Sequence, residues 1–140
     1  AVIEDRPEYS ERVDPAVLAA QDRRPVPFHV IINPRLIATE ETTVEFFEGC
    51  LSLTGFTALV SRVEKVRVEC LNENAEPIII EAQGWYARIL QHEIDHLNGK
   101  LYIDRMASRS FMTVENHACH WAGRSVGEIC SALGLSADYR

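Results

Sequence analysis

Two histidines and a glutamate stand at a spacing that suits metal-dependent hydrolysis. His92 and His96 are four residues apart within the segment Gln91–Gly99. On an α-helix this spacing places the two imidazoles about one turn apart on the same side, where both can hold one cation. Glu93 lies beside them, close enough to handle a proton on a water bound to that cation. The pattern predicts a metal-dependent hydrolase, and the alternative is a solvent-facing helix whose two histidines are incidental.

The surrounding sequence favours a helix for this segment. Gly84 interrupts a strand-like run, and Gly99 stands where a helix commonly ends in a left-handed conformation. Between the two glycines the apolar residues recur at helical spacing, so one face is expected to be buried while the other faces a cleft. The cleft face is predicted to carry Trp85, Ile89, His92, Glu93 and His96, and the buried face to carry Tyr86, Leu90, Ile94 and Leu97.

Two histidines leave a metal ion under-coordinated, so a further ligand must come from elsewhere in the chain. Cys50 is the candidate, because it follows Gly49 at a break in the strand pattern instead of occupying an alternating core position. One cysteine and two histidines leave the fourth tetrahedral position open, as in a catalytic site. A metallopeptidase that uses a downstream carboxylate in place of Cys50 is the alternative.

The remaining sequence predicts an α+β protein in which antiparallel β-sheets pack around this central helix. Runs of branched and aromatic residues with period-two alternation predict the strands, and residues 4–26 are interpreted as a charged, solvated surface excursion. We expect residues 1–140 to form a single catalytic domain. Strands are predicted at residues 28–32, 35–39, 42–47, 56–60, 63–71, 77–82 and 100–104, and helices at 15–21, 85–97 and 124–134.

Composition narrows the classes of function. A chain of 140 residues that is 46% hydrophobic and 25% charged fits one compact domain with a substantial core. The net charge of −7 argues against a nucleic-acid-binding surface. The aliphatic runs, such as Ile78–Ile80, are far shorter than a bilayer requires, which predicts no membrane span. The four cysteines form no Cys-x-x-Cys pair, which favours a reducing compartment over a disulfide scaffold.

Two of these segments resemble a known family. Glu48–Ser52 and Gln91–Leu97 resemble the second and third signature motifs of peptide deformylase, in the same order and with 42 residues from Cys50 to His92. The resemblance extends from about Phe28 to Met106. The segment from Gly84 to Leu90 is similar to the branch that includes the mitochondrial enzymes and some bacterial relatives.

The resemblance implies a hydrolase of protein biosynthesis that removes the formyl group from the N-terminal formyl-methionine of nascent polypeptides and releases formate. It implies that Cys50, His92 and His96 bind the metal. It also implies that Glu93 is the general base and then the acid, while the backbone N–H of Leu51 donates to the developing oxyanion. The implied cofactor is one divalent ion, Fe²⁺, which Zn²⁺, Ni²⁺ or Co²⁺ can replace.

The methionine side chain needs an apolar slot beside the metal. For Trp85 and Ile89, ordinary core packing is the alternative. Asp95 and Arg62 are expected to form an ion pair that steadies the helix, with unrelated surface charges as the alternative. The positions that the resemblance implies for substrate binding are Phe46, Gly49, Trp85, Arg88 through its aliphatic stem, and Ile89.

The Gly-rich first motif of the family, Gly-x-Gly-x-Ala-Ala-x-Gln, does not occur in this sequence. The resemblance therefore predicts an N-terminally truncated chain, and a domain that binds metal or formyl-peptide ends without turnover is the non-enzymatic alternative. The expected partners are formyl-methionyl peptides, including nascent chains on the ribosome, with neither nucleic acid nor membrane. The expected location is the cytoplasm of a bacterium or the interior of a mitochondrion or plastid.

Overall fold

The computed structural model of the protein describes residues 1–135 and combines antiparallel strands with helices, which confirms the α+β class. Short 3₁₀ turns, among them Leu51–Leu53 and Tyr102–Asp104, connect several of these elements. No helix among residues 1–135 is long and apolar enough to cross a bilayer. The elements are β1 (Val2–Asp5), α1 (Pro15–Ala20), β2 (Val26–Val30), β3 (Ile32–Ala38), β4 (Thr43–Glu48), β5 (Phe56–Val63), β6 (Lys65–Leu71), β7 (Pro77–Gln83), α2 (Gly84–Leu97), β8 (Met112–Thr113), α3 (Val114–His120) and α4 (Val126–Leu133).

The chain divides into two compact units. The first comprises Ala1–Thr43 and Arg62–Gly99, and the second comprises Val44–Ser61 and the chain from Lys100 onward. The first unit contains the β1-β2 pair, the three-stranded sheet β3-β6-β7 and helix α2. The second unit contains most of the sheet β4-β5-β8 together with α3 and α4.

In the first unit, α2 packs against β1, β3, β6 and β7 through an apolar face. Leu90 and Ile94 of this face join Val66 and Val68 of β6 in one buried cluster. Both sheets of the first unit therefore pack against the helix. Leu97, which was also predicted on the buried face, is 54% exposed because it is the last residue of the helix.

The predicted break between the strands at 28–32 and 35–39 is wrong, because β3 begins at Ile32 and runs through Asn33 and Pro34. The register between β3 and β6 shifts between Ile32 and Arg35, and Asn33 has a positive φ of 49°. A bulge of this kind leaves a residue outside the ladder, so the missing N–H of Pro34 costs no strand hydrogen bond.

The predicted strand at residues 100–104 is also wrong. Tyr102–Asp104 forms a 3₁₀ turn, in which the Leu101 N–H donates to Asp104 Oδ2 at 2.7 Å. An aspartate that accepts a hydrogen bond from a nearby backbone N–H offers the chain an alternative to strand pairing.

In the second unit, successive residues of β5 supply two separate clusters. Ala58 and Val60 pack with Tyr102, whereas Leu59 packs with Ile129 and Cys130 of α4. This division follows from the period-two alternation of a strand. The predicted C-terminal helix is confirmed, with the Ser125 side chain at its N-cap and Gly134 in the left-handed conformation after its last turn.

A buried ion pair ties α2 to the end of β5 within the first unit. Arg62 Nη1 donates to Asp95 Oδ2, and both side chains are less than one-tenth exposed. One turn earlier, the Gln91 side chain accepts from Val63 N–H at 3.2 Å and donates to the Val63 carbonyl at 2.8 Å. The predicted pairing of Asp95 with Arg62 is confirmed.

We expect Asp95→Asn to lower the free energy of unfolding by about 3 kcal/mol, because it removes a carboxylate charge that faces a buried guanidinium. Urea unfolding measures the loss. Arg67→Met is the matched control: it breaks the exposed pair between Arg67 and Glu81 on β6 and β7 and should cost less than about 1 kcal/mol. Equal losses in the two variants would contradict the role assigned to burial.

Candidate metal centre

Helix α2 presents His92, Glu93 and His96 on its half-buried side. The two imidazole rings meet edge to face, with centroids 4.7 Å apart and an interplanar angle of 85°. One ring nitrogen of His92 lies within 4.8 Å of one ring nitrogen of His96. The two side chains therefore converge as expected of residues one helical turn apart.

The end of α2 follows directly after His96. The N–H of Asn98 donates to the Asp95 carbonyl at 2.9 Å, and that of Gly99 donates to the His96 carbonyl at 3.0 Å. Gly99 has a φ of 73°, which confirms the predicted left-handed stop. Because the C-terminal end of a helix carries partial negative charge, its last turn favours a nearby cation.

Cys50 lies in the second unit, where β4 ends at Glu48 and the backbone of Cys50 is extended before the 3₁₀ turn Leu51–Leu53. Thr57 Oγ1 donates to the Glu48 carbonyl at 2.8 Å. The Cys50 side chain is half-buried at the edge of the cluster that contains Tyr102, and its thiol forms no disulfide. The strand is interrupted before Cys50 as predicted, and the Cys50 thiol lies at the edge of the cluster that contains Tyr102.

Two neighbours of Cys50 present only their backbone to the second unit. The Leu51 side chain is 96% exposed, and the Leu51 carbonyl accepts from Thr54 Oγ1 at 3.1 Å. A Cβ at Gly49 would meet the Phe56 carbonyl oxygen at 3.5 Å, an ordinary contact. Packing within the second unit therefore does not by itself require glycine at position 49.

The candidate pocket residues of the first unit lie on the first turns of α2. Trp85 and Ile89 are half-buried, and Ile89 packs against the apolar cluster, which is consistent with core packing. Arg88 is only 2% exposed, and its Cζ lies 5.8 Å from the Trp85 ring centroid. Phe46, a half-buried residue of β4, is the candidate from the second unit.

Tyr102 was not singled out in the sequence analysis. Its side chain is 1% exposed, and its hydroxyl has no hydrogen-bond partner among residues 1–135. Burial raises the pKa of Tyr102, and the charges of Cys50 and Glu48 raise it further. The phenol therefore stays protonated at neutral pH and adds no negative charge beside the Cys50 thiol. An aromatic residue a few positions after the histidine pair is too common a feature to have identified it.

Arg23 was also missed. Its Cζ lies 5.1 Å from the Trp85 ring centroid, although the two residues are far apart in the sequence. The polar composition of the excursion gave no signal for this contact, because a cation over an indole leaves no periodic pattern.

Comparison with known proteins adds independent evidence. The sequence profile of the family described as Polypeptide deformylase matches residues 2–111. "Peptide deformylase 1A, chloroplastic" from Solanum lycopersicum is 52% identical over 115 residues, which cover 82% of this chain and 42% of that relative. "Peptide deformylase, mitochondrial" from Homo sapiens is 44% identical over 100 residues, which cover 71% of this chain and 41% of that relative.

A solved structure of similar fold is the peptide deformylase from Synechococcus elongatus in complex with actinonin. It is 34% identical with a TM-score of 0.57, and the match covers 81% of this chain and 54% of that chain. The chain spans about half the length of the curated relatives it matches. Because the family profile matches well over half of the chain, including the segments that hold Cys50 and the two histidines, the chain belongs to the polypeptide deformylase family.

Proposed function

We propose that this chain carries the catalytic site of a peptide deformylase that removes the formyl group from N-terminal formyl-methionine of nascent polypeptides. The observation that carries this proposal is the convergence of His92 and His96, with Glu93 beside them, on the half-buried side of α2. Family membership favours it over another His-Glu-x-x-His metallopeptidase and over a domain that only binds metal or peptide.

Peptide deformylases are metal-dependent enzymes. His92, His96 and Cys50 are the residues that would hold the ion, and Fe²⁺ is the proposed metal, with Zn²⁺, Ni²⁺ or Co²⁺ as substitutes. Two imidazoles and a thiolate fit a divalent transition metal better than Mg²⁺ or Ca²⁺, which prefer oxygen ligands. When bound, such an ion acts as a Lewis acid and can lower the pKa of a water molecule to about 7.

The chain's own groups then move the proton and stabilise the charge. Glu93 takes the proton of the attacking water, and after the C–N bond breaks it delivers that proton to the leaving amine of methionine. The products are formate and a free N-terminus. The backbone N–H of Leu51 would donate to the negative charge that develops on the formyl oxygen, and one such donor is typically worth about 10²- to 10³-fold in rate.

The methionine side chain is proposed to bind along the first turns of α2. Trp85 and Ile89 share the half-buried side of the helix with His92, while Arg88 contributes its aliphatic stem. Phe46 and Gly49 are the proposed contributions from the segment before Cys50. An unbranched thioether fits a slot of this apolar composition.

Residues 1–140 are proposed to act together as a single catalytic domain on formyl-methionyl peptides, including nascent chains on the ribosome. The relatives include chloroplastic, mitochondrial and bacterial proteins. A bacterial cytoplasm or the interior of an organelle is therefore the proposed compartment.

The proposed activity is tested by formate release from formyl-Met-Ala-Ser, using protein prepared without oxygen and loaded with Ni²⁺ or Fe²⁺. We expect Glu93→Gln to lower kcat by about 10²-fold or more while one metal per chain remains bound, because the variant lacks the general base. Cys50→Ala should abolish tight metal binding as well as turnover.

Cys119→Ala, which removes an exposed thiol, is the matched control and should leave metal content and turnover unchanged. Metal binding that survives Cys50→Ala would refute the ligand assignment. A tightly bound metal without formate release in the unaltered chain would support the non-catalytic alternative instead.

The Fe²⁺-loaded protein should lose activity in air faster than the Ni²⁺-loaded protein, because an Fe²⁺–thiolate pair offers both an oxidisable metal and an oxidisable sulfur. Formate release is measured over time in air and under nitrogen for the two preparations. If the two preparations lose activity in air at the same rate, or if Cys119→Ala protects the Fe²⁺-loaded protein, an iron–thiolate site is not the cause of the loss.

A further inference from the structure

We propose that Arg23, oriented by Asp5, is a positioning residue that holds the Trp85 ring and thereby sets the selectivity of the methionine pocket. This inference rests on the proposed function, because the place of Trp85 in that pocket is part of it. Arg23 acts through Trp85 and has no assigned contact with the reacting atoms. All the contacts that carry the argument lie within the first unit.

Asp5 fixes the orientation of the Arg23 guanidinium. Arg23 Nε donates to Asp5 Oδ2 at 2.9 Å, and Arg23 Nη2 donates to Asp5 Oδ1 at 2.8 Å. The two side chains are 15% and 4% exposed. Two parallel charge-assisted hydrogen bonds define the plane of a guanidinium as well as its position, and a lysine cannot reproduce them.

The oriented guanidinium lies over the indole of Trp85. Its Cζ is 5.1 Å from the ring centroid, within the range of a cation–π interaction, and the Cζ of Arg88 is 5.8 Å away. The ring is therefore in contact with one cation from its own helix and one from the excursion. Because the Asp5 carboxylate neutralises the charge of Arg23, two guanidinium groups can lie near the same ring with little electrostatic repulsion between them.

The turn before Arg23 is attached to the start of α2. Gly84 has a φ of 62°, and a Cβ built there would lie 2.7 Å from Asp22 Cβ and 2.8 Å from the Asp22 carbonyl oxygen. The neighbouring Gln83 Nε2 donates to Asp22 Oδ2 at 2.9 Å. Only glycine permits this approach without displacing the Asp22 backbone.

These contacts correct the interpretation of residues 4–26 as a solvated loop. Apart from the half-buried Leu18, Pro15–Ala20 is exposed, and so are most of residues 4–14, as that interpretation requires. The segment 21–23 instead contacts three consecutive residues at the junction of β7 and α2, namely Gln83, Gly84 and Trp85. The excursion is therefore a support for the helix that carries the candidate site.

A ring that contacts two guanidinium groups has fewer orientations open to it, so it presents a more constant surface to a substrate side chain. Losing Arg23 should let Trp85 sample other rotamers, which weakens the fit of a long apolar side chain more than that of a short one. The effect should appear in KM and in selectivity, since ground-state and transition-state binding of this side chain change together. It should leave kcat nearly unchanged.

The test uses the full chain with Trp121→Phe, so that Trp85 is the remaining tryptophan. Arg23→Met is expected to raise acrylamide quenching of Trp85 fluorescence about twofold. It should also raise KM for formyl-Met-Ala-Ser about fivefold, with kcat within about twofold, as expected for the loss of one partly buried cation–π contact. The preference for formyl-Met-Ala-Ser over formyl-Ala-Ala-Ser in kcat/KM should fall by a similar factor. Arg23→Lys should give intermediate values, and Asp5→Asn should resemble Arg23→Met.

Arg12→Met is the matched control, because Arg12 belongs to the same excursion and is exposed. Quenching and selectivity of Arg23→Met equal to those of Arg12→Met would overturn the proposal, as would greater quenching with unchanged selectivity. A fall in kcat alone would also overturn it. If the parent chain releases no formate, the proposed function fails by itself, whereas the quenching comparison still decides whether Arg23 holds Trp85.

Discussion

The rotation of α2 about its own axis is the constraint on which the candidate site depends. An apolar face packed on a sheet fixes which side of a helix is buried, but it tolerates small rotations because dispersion contacts are not directional. Gln91 restricts that freedom by forming hydrogen bonds to both the N–H and the carbonyl of Val63, much as a neighbouring strand would. Asp95 adds the buried ion pair with Arg62 one turn later. Directional bonds at two levels thus define where His92 and His96 point.

The helix therefore carries three stripes with different physical roles. Ala87, Leu90 and Ile94 supply burial, and the side next to them carries buried polar groups that find partners within the protein. The remaining stripe is half-buried and contains the residues of the candidate site. Buried polar groups reduce the stability that an apolar replacement would give, but they favour one arrangement over nearby alternatives. A site that needs two imidazoles directed at one point depends more on a fixed helix orientation than on the additional stability that apolar replacements would give.

Much of the fold could be predicted because it follows from periodicity. The alternation in β6 and the helical spacing around Leu90 predicted their buried faces, and Gly99 marked a helix end through local backbone chemistry. Features that depend on competition between alternative local backbone conformations were missed. Asp104 accepts a backbone hydrogen bond and forms a turn where a strand was expected, and a bulge lets β3 run through Pro34. The candidate ligands could be named from residue types and spacing, together with a family resemblance. The contact of Arg23 with Trp85 could not, because nothing in either local sequence specifies the other.

The close approach of Asp22 to Gly84 has a consequence for how this protein can vary. A loop that makes no contacts with the rest of the protein can gain or lose residues freely. A loop whose final residues pack closely against a glycine must keep those residues in the same position, whatever its length. Changes in length are therefore compatible with the exposed stretch around α1 but not with the segment that follows it. A tag, a fluorophore or a grafted epitope belongs in that exposed stretch, and the residue pair at 22 and 84 should change only together.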